Sequence, residues 1–509
     1  MGAVIYKNKK TMKLNNIMRL ILPVIAGAMV ATSCHGDLDI MQDNRLSASN
    51  MWKDATDVTQ STYGIYERMR SCFVSNTCNV FYWGEARVGS YMWGASIVNM
   101  AQDNDMIGVV NSTMNGANAS TNWSALYSTI DQANAVLKYA PTINMSDKER
   151  GFSIGQASFA RAYCYFWAAR LWGDVPLNLV PIESVSQPEC YPVRAPKADV
   201  YAQIGVDIET ALENAEYLGS DCYFATKTAV NLLKAEYALW MYTNQKGGDS
   251  YLTLASEALE ALDLTSGALL DDYGKVFINA NKKNKEIAFA LSNSQSEKLT
   301  GGFYQYFYLG GSSVAPAYQN NPVPMKSTQW WGFQPKFMKR LRDSRDIEGD
   351  KRVPTNLGDG DYHANGGNLT WCNKYIGDQS GAIAIEDCDI PYYRTALGIM
   401  MAAELEYYKK NYSKSLDYLN IIAKRAYGKD NYYTDVTPNA VLKAIENEYF
   451  LEFPAEGVIW WALIRLDTIW DYNDYLKQQK ANNPNILLWP ISNSARNKNY
   501  KLVQTEGWN

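Results

Sequence analysis

Apolar residues recur at three- and four-residue steps along most of the chain, the pattern of helices that bury one face. Trp52, Ala55, Val58, Thr62, Ile65, Tyr66 and Met69 predict a helix over 51–69. Trp123, Leu126, Ile130, Ala133 and Leu137 predict a second. Ser146 followed by Glu149 has the form of a capping box and opens a third. That helix runs into Phe159, Ala162, Tyr163, Phe166 and Ala169 on one face, with Tyr165, Trp167 and Leu171 off it, so it is expected to be buried nearly all round. Gly173 ends it and Pro176 prevents a restart. Helical periods then cover 197–218, 228–242 and 251–262, and resume over 392–408, 412–427 and 448–465. Successive amphipathic helices with short links predict an all-α fold of tetratricopeptide-like hairpins.

Two stretches break this rhythm. Residues 73–121 are rich in Gly, Asn and Ser but interleave Phe81-Tyr82-Trp83 and Tyr91-Met92-Trp93. Residues 264–389 lose the helical period apart from a short helix over 335–341 and a strand over 285–292. They carry the aromatic run 303–308 and Trp330-Trp331. Long aperiodic stretches are functional or disordered, and aromatics argue against disorder. The expected organisation is therefore a helical scaffold, about 51–263 and 390–509, with an irregular insertion, about 264–389, bearing the ligand site.

At the amino terminus, Lys7, Lys9, Lys10, Lys13 and Arg19 precede an apolar run from Leu20 to Ala31, too short for a membrane span and suited to a signal-peptide core. Ala31-Thr32-Ser33-Cys34 resembles a bacterial lipobox, with Ala31 where Leu is commoner. It implies a signal peptide over 1–33, cleavage before Cys34 and lipid on its sulfur. Acyl chains bury methylenes at about 0.8 kcal/mol each, so several hold firmly. A plain secretion signal with an incidental cysteine is the alternative. The acidic residues Asp37 and Asp39 follow the anchor, and residues 34–50 are expected to form an extended tether.

Composition narrows the chemistry. A net charge of −5 gives no basic footprint for nucleic acid. Two histidines, His35 and His363, disfavour a histidine-built metal site or a Ser-His-Asp triad. The seven cysteines after Cys34 show no CxxC spacing, although Cys72 and Cys78 are near enough for a local disulfide across a turn. Asp103-Asn104-Asp105 and Asp359-Gly360-Asp361 lack the Glu-terminated continuation of a calcium loop. No cofactor or phosphate loop is indicated. Glu448, Glu452 and Glu456 share one helix face if the helix passes Pro454. A glycosidase needs carboxylates on two sides of the sugar bond, so ion pairs along the helix face are the plainer reading.

Several ordered motifs resemble one family. Residues 158–177, SFARAYCYFWAARLWGDVPL, are similar to the hallmark of the SusD/RagB family, the surface nutrient-binding lipoproteins of Bacteroidetes. Trp123, Tyr127, Ile130, Asn134 and Leu137 resemble that family's preceding helix, and 392–408 a later one. Glu448, Glu452, Glu456-Gly457, Leu463 and Arg465 match a second signature. There Tyr449 and Ile459 replace Arg and Ala462 replaces Asp, which puts that signature's internal ion pairs in question. Leu488-Trp489-Pro490-Ile491 with Asn499, Leu502, Gln504 and Trp508 resembles the family's carboxy-terminal motif, with Thr505-Glu506 a departure.

The resemblance implies a lipid-anchored protein on the outer face of the outer membrane. It would be a binding protein and not an enzyme, with a single domain over 34–509. It would capture oligosaccharide and deliver it to a SusC-like TonB-dependent barrel. The runner-up is a peptide- or glycopeptide-binding member of the same family, with a surface glycoside hydrolase behind it. The two aperiodic regions are expected to converge on one exposed site. Tyr82, Trp83, Tyr91, Trp93, Tyr304, Tyr306, Trp330 and Trp331 would stack on sugar rings, and Glu85, Arg87 and Asn99 would bond hydroxyls. For any one aromatic, loop-anchoring core is the plainer reading; as a set, some should face solvent together.

Overall fold

Helix follows helix, each laid against its predecessor. The computed structural model describes residues 51–74, 79–93, 104–294, 307, 309, 314–318, 329, 331–377 and 387–508. The compact unit begins at Trp52. Its scaffold comprises α1 (Ala55–Phe73), α2 (Asn79–Gly84), α3 (Asn104–Val110), α4 (Ser124–Tyr139), α5 (Asp147–Trp172), α6 (Lys197–Glu213), α7 (Lys227–Thr243) and α8 (Ser250–Glu260). After the irregular region come α11 (Thr395–Tyr408), α12 (Tyr412–Tyr427), α13 (Pro438–Glu452) and α14 (Ile459–Arg465). Helices α4 to α8 pack pairwise in chain order, α8 passes the stack to α11, and α11 packs on α12 and α13. This is the tetratricopeptide-like all-α arrangement. Among the described residues, no helix is long and apolar enough to cross a membrane.

The predicted boundaries hold within a few residues, and local chemistry sets them. Asp54 caps α1 in a reciprocal pair with Asp57. Ser146 Oγ accepts from Glu149 N at 3.2 Å, and Glu149 accepts in return from Ser146 N at 3.0 Å. Every residue from Gly155 to Gly173 is buried, as the apolar wrap of α5 predicts. Gly173 ends the helix at φ +72°, a left-handed turn that favours glycine. The carboxy-terminal motif closes on that exit: Trp489 N donates to Leu171 O at 2.6 Å and Trp172 Nε1 to Pro490 O at 3.1 Å. Motifs more than 300 residues apart thus hydrogen-bond to each other.

The hallmark arginine has a structural task. Arg161 grips Asp207 on α6 through two bonds of 2.8 and 2.6 Å, and donates to Asn134 on α4 at 2.9 Å. Asn134 donates onward to the carbonyls of Asn178 and Val180. Three helices and the segment beyond Gly173 are tied through one guanidinium.

The irregular region contains β2 (Ile287–Leu291), β3 (Trp331–Phe333), α9 (Pro335–Asp343), α10 (Val353–Asn356), β4 (Leu357–Gly360) and β5 (Leu369–Cys372). Strand β6 (Ile390–Arg394) precedes α11, so the first residues of the helix expected over 392–408 are extended instead. Beyond α14, short helices α15 (Asp474–Gln479) and α16 (Asn493–Lys498) complete the described elements. All strand pairs are antiparallel: β2 with β6, β4 with β5, and β3 with β1 (Tyr91–Trp93).

The expected helix-face ion pairs are replaced by something stronger. Helix α13 stops at Glu452, and Glu448, Glu452 and Glu456 are buried. Arg352 Nη1 reaches Glu448 at 2.6 Å and Glu452 at 3.1 Å, and its other nitrogens hold Asp350. Arg394 bridges Glu286, Glu452 and Glu456 at 2.9, 2.7 and 2.7 Å. Arg425 pairs with Glu286 and Glu452, and Lys374 with Glu456. Burial alone would raise the Glu452 carboxyl, yet Arg425, Arg394 and Arg352 bring it down to about 2.

The second signature's departures change the bonding at these positions. Tyr449, standing where Arg was expected, donates its hydroxyl to Glu404, and Arg465 pairs with the same carboxylate at 2.7 Å. The partners come from distant elements, so helical spacing did not reveal them.

Removing one arginine from this network leaves buried carboxylates unpaired. Arg352→Ala is expected to destabilise the protein by about 3–5 kcal/mol in urea denaturation followed by circular dichroism. A loss below about 1 kcal/mol would mean that water or rearrangement replaces the guanidinium.

Candidate functional site

The two aperiodic regions do converge. Strand β1 pairs with β3 in the register Tyr91 to Phe333, Met92 to Gly332 and Trp93 to Trp331. The pairing extends back by one bond, Gln334 N donating to Ser90 O at 2.8 Å. Phe307, from the aromatic run, packs its ring against Phe81 at 5.0 Å and Tyr91 at 5.9 Å. Gln329 donates to the carbonyls of Phe307 and Thr370. A single node therefore holds the chain at Tyr91–Trp93, at Phe307 and at 329–334.

A close backbone crossing sets that node on the scaffold. A Cβ on Gly84 would lie 2.1 Å from the carbonyl oxygen of Gly457, so only glycine lets the end of α2 pass the turn after α13. The crossing delivers Glu85 beneath β1. Its carboxylate accepts from Tyr91 OH at 2.6 Å, Ala455 N at 2.8 Å and Gly457 N at 2.9 Å. Burial drives its pKa up to about 7, against the lowering pull of those three donors.

This geometry corrects six of the eleven expected ligand contacts. Trp83 is buried among Phe73, Trp167 and Trp172, and its Nε1 donates to Ser120 O at 2.8 Å. Tyr82 and Trp331 pack edge to face in the same core. Tyr91 is fully buried against Phe81 and Phe333. Arg87 donates to the carbonyls of Ile486 at 2.6 Å and Leu487 at 3.0 Å, under the Trp460 ring. Burial among apolar groups lowers its pKa to about 9. Tyr82, Trp83, Glu85, Arg87, Tyr91 and Trp331 thus build the node and present no face to a ligand. Asn99, Tyr304, Tyr306, Trp330, Cys34 and Cys78 lie outside the described residues. So does the Trp93 side chain, whose backbone is the last step of β1. The described cysteines, Cys72 among them, are free thiols.

Beside the node opens a cleft of about 510 Å³ that periodicity did not point to. Ser90, just before β1, and Phe337, on the helix after β3, form one end. Arg340 on α9 and Asn447 and Phe450 on α13 form its floor, with Tyr427, Tyr432 and Tyr472 around it. Tyr432 stacks on Tyr427 with centroids 4.0 Å apart and planes at 14°. The Tyr432 hydroxyl donates to Glu348 at 3.0 Å, and burial together with that carboxylate pushes its pKa up to about 12. The Tyr-Tyr pair at 432–433 was the available sequence signal, but it lies between two helices and shows no partner without the fold. Aromatic faces beside fixed polar groups suit an amphipathic ligand.

Comparison with known proteins follows the same lines. Residues 38–235 match a SusD-like family model described as starch-binding associating with outer membrane, and residues 355–508 match the SusD family model. SusD-like protein P38 of Formosa agariphila is 24% identical over 337 residues, covering 63% of this chain and 64% of its own length. A SusD superfamily protein from Bacteroides fragilis superposes with a TM-score of 0.75 at 23% identity, over 90% of this chain and 100% of its own. A laminarin-binding SusD-like protein gives 0.72 at 19% identity, over 90% and 100%. The chain thus matches just under two thirds of that curated relative, and the structural likenesses establish the fold.

The Glu85 latch carries a pH signature. The folded carboxyl keeps its proton up to about pH 7, whereas an unfolded one loses it near 4.5. The folded state therefore binds more protons between those values, and stability falls as pH rises through them. Wild type is expected to lose up to about 1.4 kcal/mol per pH unit more than Glu85→Gln across this window, by urea titration. Parallel profiles would mean that Glu85 is ionised throughout.

Proposed function

The chain belongs to the SusD/RagB family, and from that premise we propose that it is a glycan-binding lipoprotein of the bacterial cell surface. It captures oligosaccharide and passes it to a SusC-like TonB-dependent barrel. The observation that carries the reading is the β1–β3 node, which brings both aromatic segments of the sequence to one place beside an aromatic cleft. Ligand is held by stacking and hydrogen bonds, with no covalent step. Trp93, Asn99, Tyr304, Tyr306 and Trp330 remain the proposed contacts, being the members of the original set whose side chains lie outside the described residues. Lipid on Cys34 keeps the protein at the outer membrane.

Burial weighs against the glycosidase alternative. Glu448 and Glu452 are wholly inaccessible and neutralised by arginines, so neither reaches a sugar bond. Catalysis needs a carboxylate within hydrogen-bond reach of substrate.

An exposed apolar face supports a docking partner. Leu179, Val180, Ile182, Val185 and Val193 stand out on the segment after α5, with Val185 90% and Val193 63% exposed. Tyr191 and Tyr500 extend it, their rings 6.3 Å apart. Exposed apolar residues gathered along one segment fit an interaction site. Trp52, where the compact unit begins, stacks on Tyr139, whose hydroxyl donates to Glu183 in this same segment. This face is the proposed docking surface for the barrel.

Calorimetry of the full chain in detergent is expected to show saturable binding to oligosaccharide with no reducing sugar released. Trp93→Ala or Trp330→Ala should weaken it by about tenfold, the size of one lost stacking contact. Release of product would overturn the receptor reading, and binding of peptides alone would keep the family and change the ligand.

Val185→Asp with Val193→Asp should abolish co-purification with the co-expressed barrel while leaving sugar binding intact. Unchanged recovery would remove this face from the interface.

A further inference from the structure

The cleft beside the node holds an uncompensated positive charge. Arg340 is half-buried on its floor. Its Nε and Nη2 both donate to one acceptor, Asn447 Oδ1, at 3.3 and 3.1 Å. Its guanidinium carbon lies 4.3 Å from the centroid of the Phe450 ring. Both partners are neutral. The Asn447 amide is itself oriented, since its Nδ2 donates to Tyr433 OH at 3.1 Å.

The cleft's carboxylates are engaged elsewhere. Asp343 pairs with Lys339 at 2.5 Å. Glu348 accepts from Tyr432 and lies 3.9 Å from Lys429. Lys336, a second cation on the wall, has no carboxylate within ion-pair distance among the described residues, and neither has Arg340. Several core arginines are matched to carboxylates, as at Arg352, Arg394 and Arg465. Arg340 is not, and it lines a cleft.

A guanidinium is a planar fork that matches a carboxylate or sulfate through two parallel bonds. Beyond Asn447, Arg340 meets the Tyr472 hydroxyl, which is also neutral, and the cleft is large enough for a small saccharide unit. Tyr432 and Tyr472 line the cleft beside it. We propose that this cleft binds an anionic sugar unit, a uronate carboxylate or a sulfate ester, with Arg340 gripping the anion, Lys336 adding charge at the rim and the tyrosines flanking the ring.

This deepens the glycan-binding reading and rests on it. It is independent of the loop aromatics, because no residue of the cleft belongs to that set.

The test is calorimetry of the full chain in detergent with three probes: tetragalacturonate, a sulfated galactan tetrasaccharide and neutral laminaritetraose. At least one acidic probe is expected to bind about tenfold or more tightly than the neutral one, the worth of one charge-assisted contact. Arg340→Gln should erase that advantage, Arg340→Lys should retain part of it, and salt at about 1 M should reduce it. A response to the uronate alone assigns the carboxylate, and to the sulfated probe alone the sulfate ester. Should Arg340→Gln fail to fold by circular dichroism, Lys336→Gln carries the same comparison. Equal binding of acidic and neutral probes, unchanged in the variants, would overturn the inference and leave glycan binding standing. Binding of none would overturn both.

Discussion

Charge taken out of water must be answered by opposite charge, and that constraint organises the carboxy-terminal half of this protein. Glu448, Glu452 and Glu456 point from the end of α13 into the interior, where an unpaired carboxylate costs several kcal/mol. Their partners come from the residue capping α10, from β6, α12 and the segment after β5. The irregular region supplies Glu286, Asp350, Arg352 and Lys374 to this network, and β6, α12, α13 and the turn after it supply the rest. Lifting that region off the scaffold would expose charges to mismatched surroundings on both sides. An aperiodic stretch with few strands is held in place by electrostatics that its own secondary structure cannot provide.

The same economy of partners appears at the functional node. Glu85 and Arg87 lie two residues apart and both hold distant backbone, one the turn after α13 and the other the carbonyls near Ile486. Around them the aromatics interlock edge to face, a geometry worth more than their area alone. Rigidity of this kind is what a binding surface needs from its foundation.

The helical scaffold was legible because burial on one face writes a period into the chain. Helices α1, α4, α5, α6, α7 and α12 begin and end near their predicted places for that reason, helped by caps such as Ser146 and breaks such as Gly173. The candidate site was legible only as a region. An aromatic in an aperiodic stretch reads the same whether it anchors a loop or faces solvent. The difference lies in neighbours far along the chain: Trp167 and Trp172 beside Trp83, Phe333 beside Tyr91, Phe81 beside Trp331. Polar residues misled in the same way, since Glu85 and Arg87 carry the groups that bond sugars and spend them on backbone.

The sequence by itself determined the helical class, the succession of hairpins and, through its ordered motifs, the family. Each of these depends on spacing within one segment or on a local string of residues. Tertiary structure alone decided which charges pair, which aromatics are core and where a cleft opens. Those properties depend on side chains brought together from separations such as the 100 residues between Arg352 and Glu452 or the 107 between Arg340 and Asn447. No local pattern encodes such distances, because the desolvation that sets the energy of a charge or a ring is a property of the assembled interior.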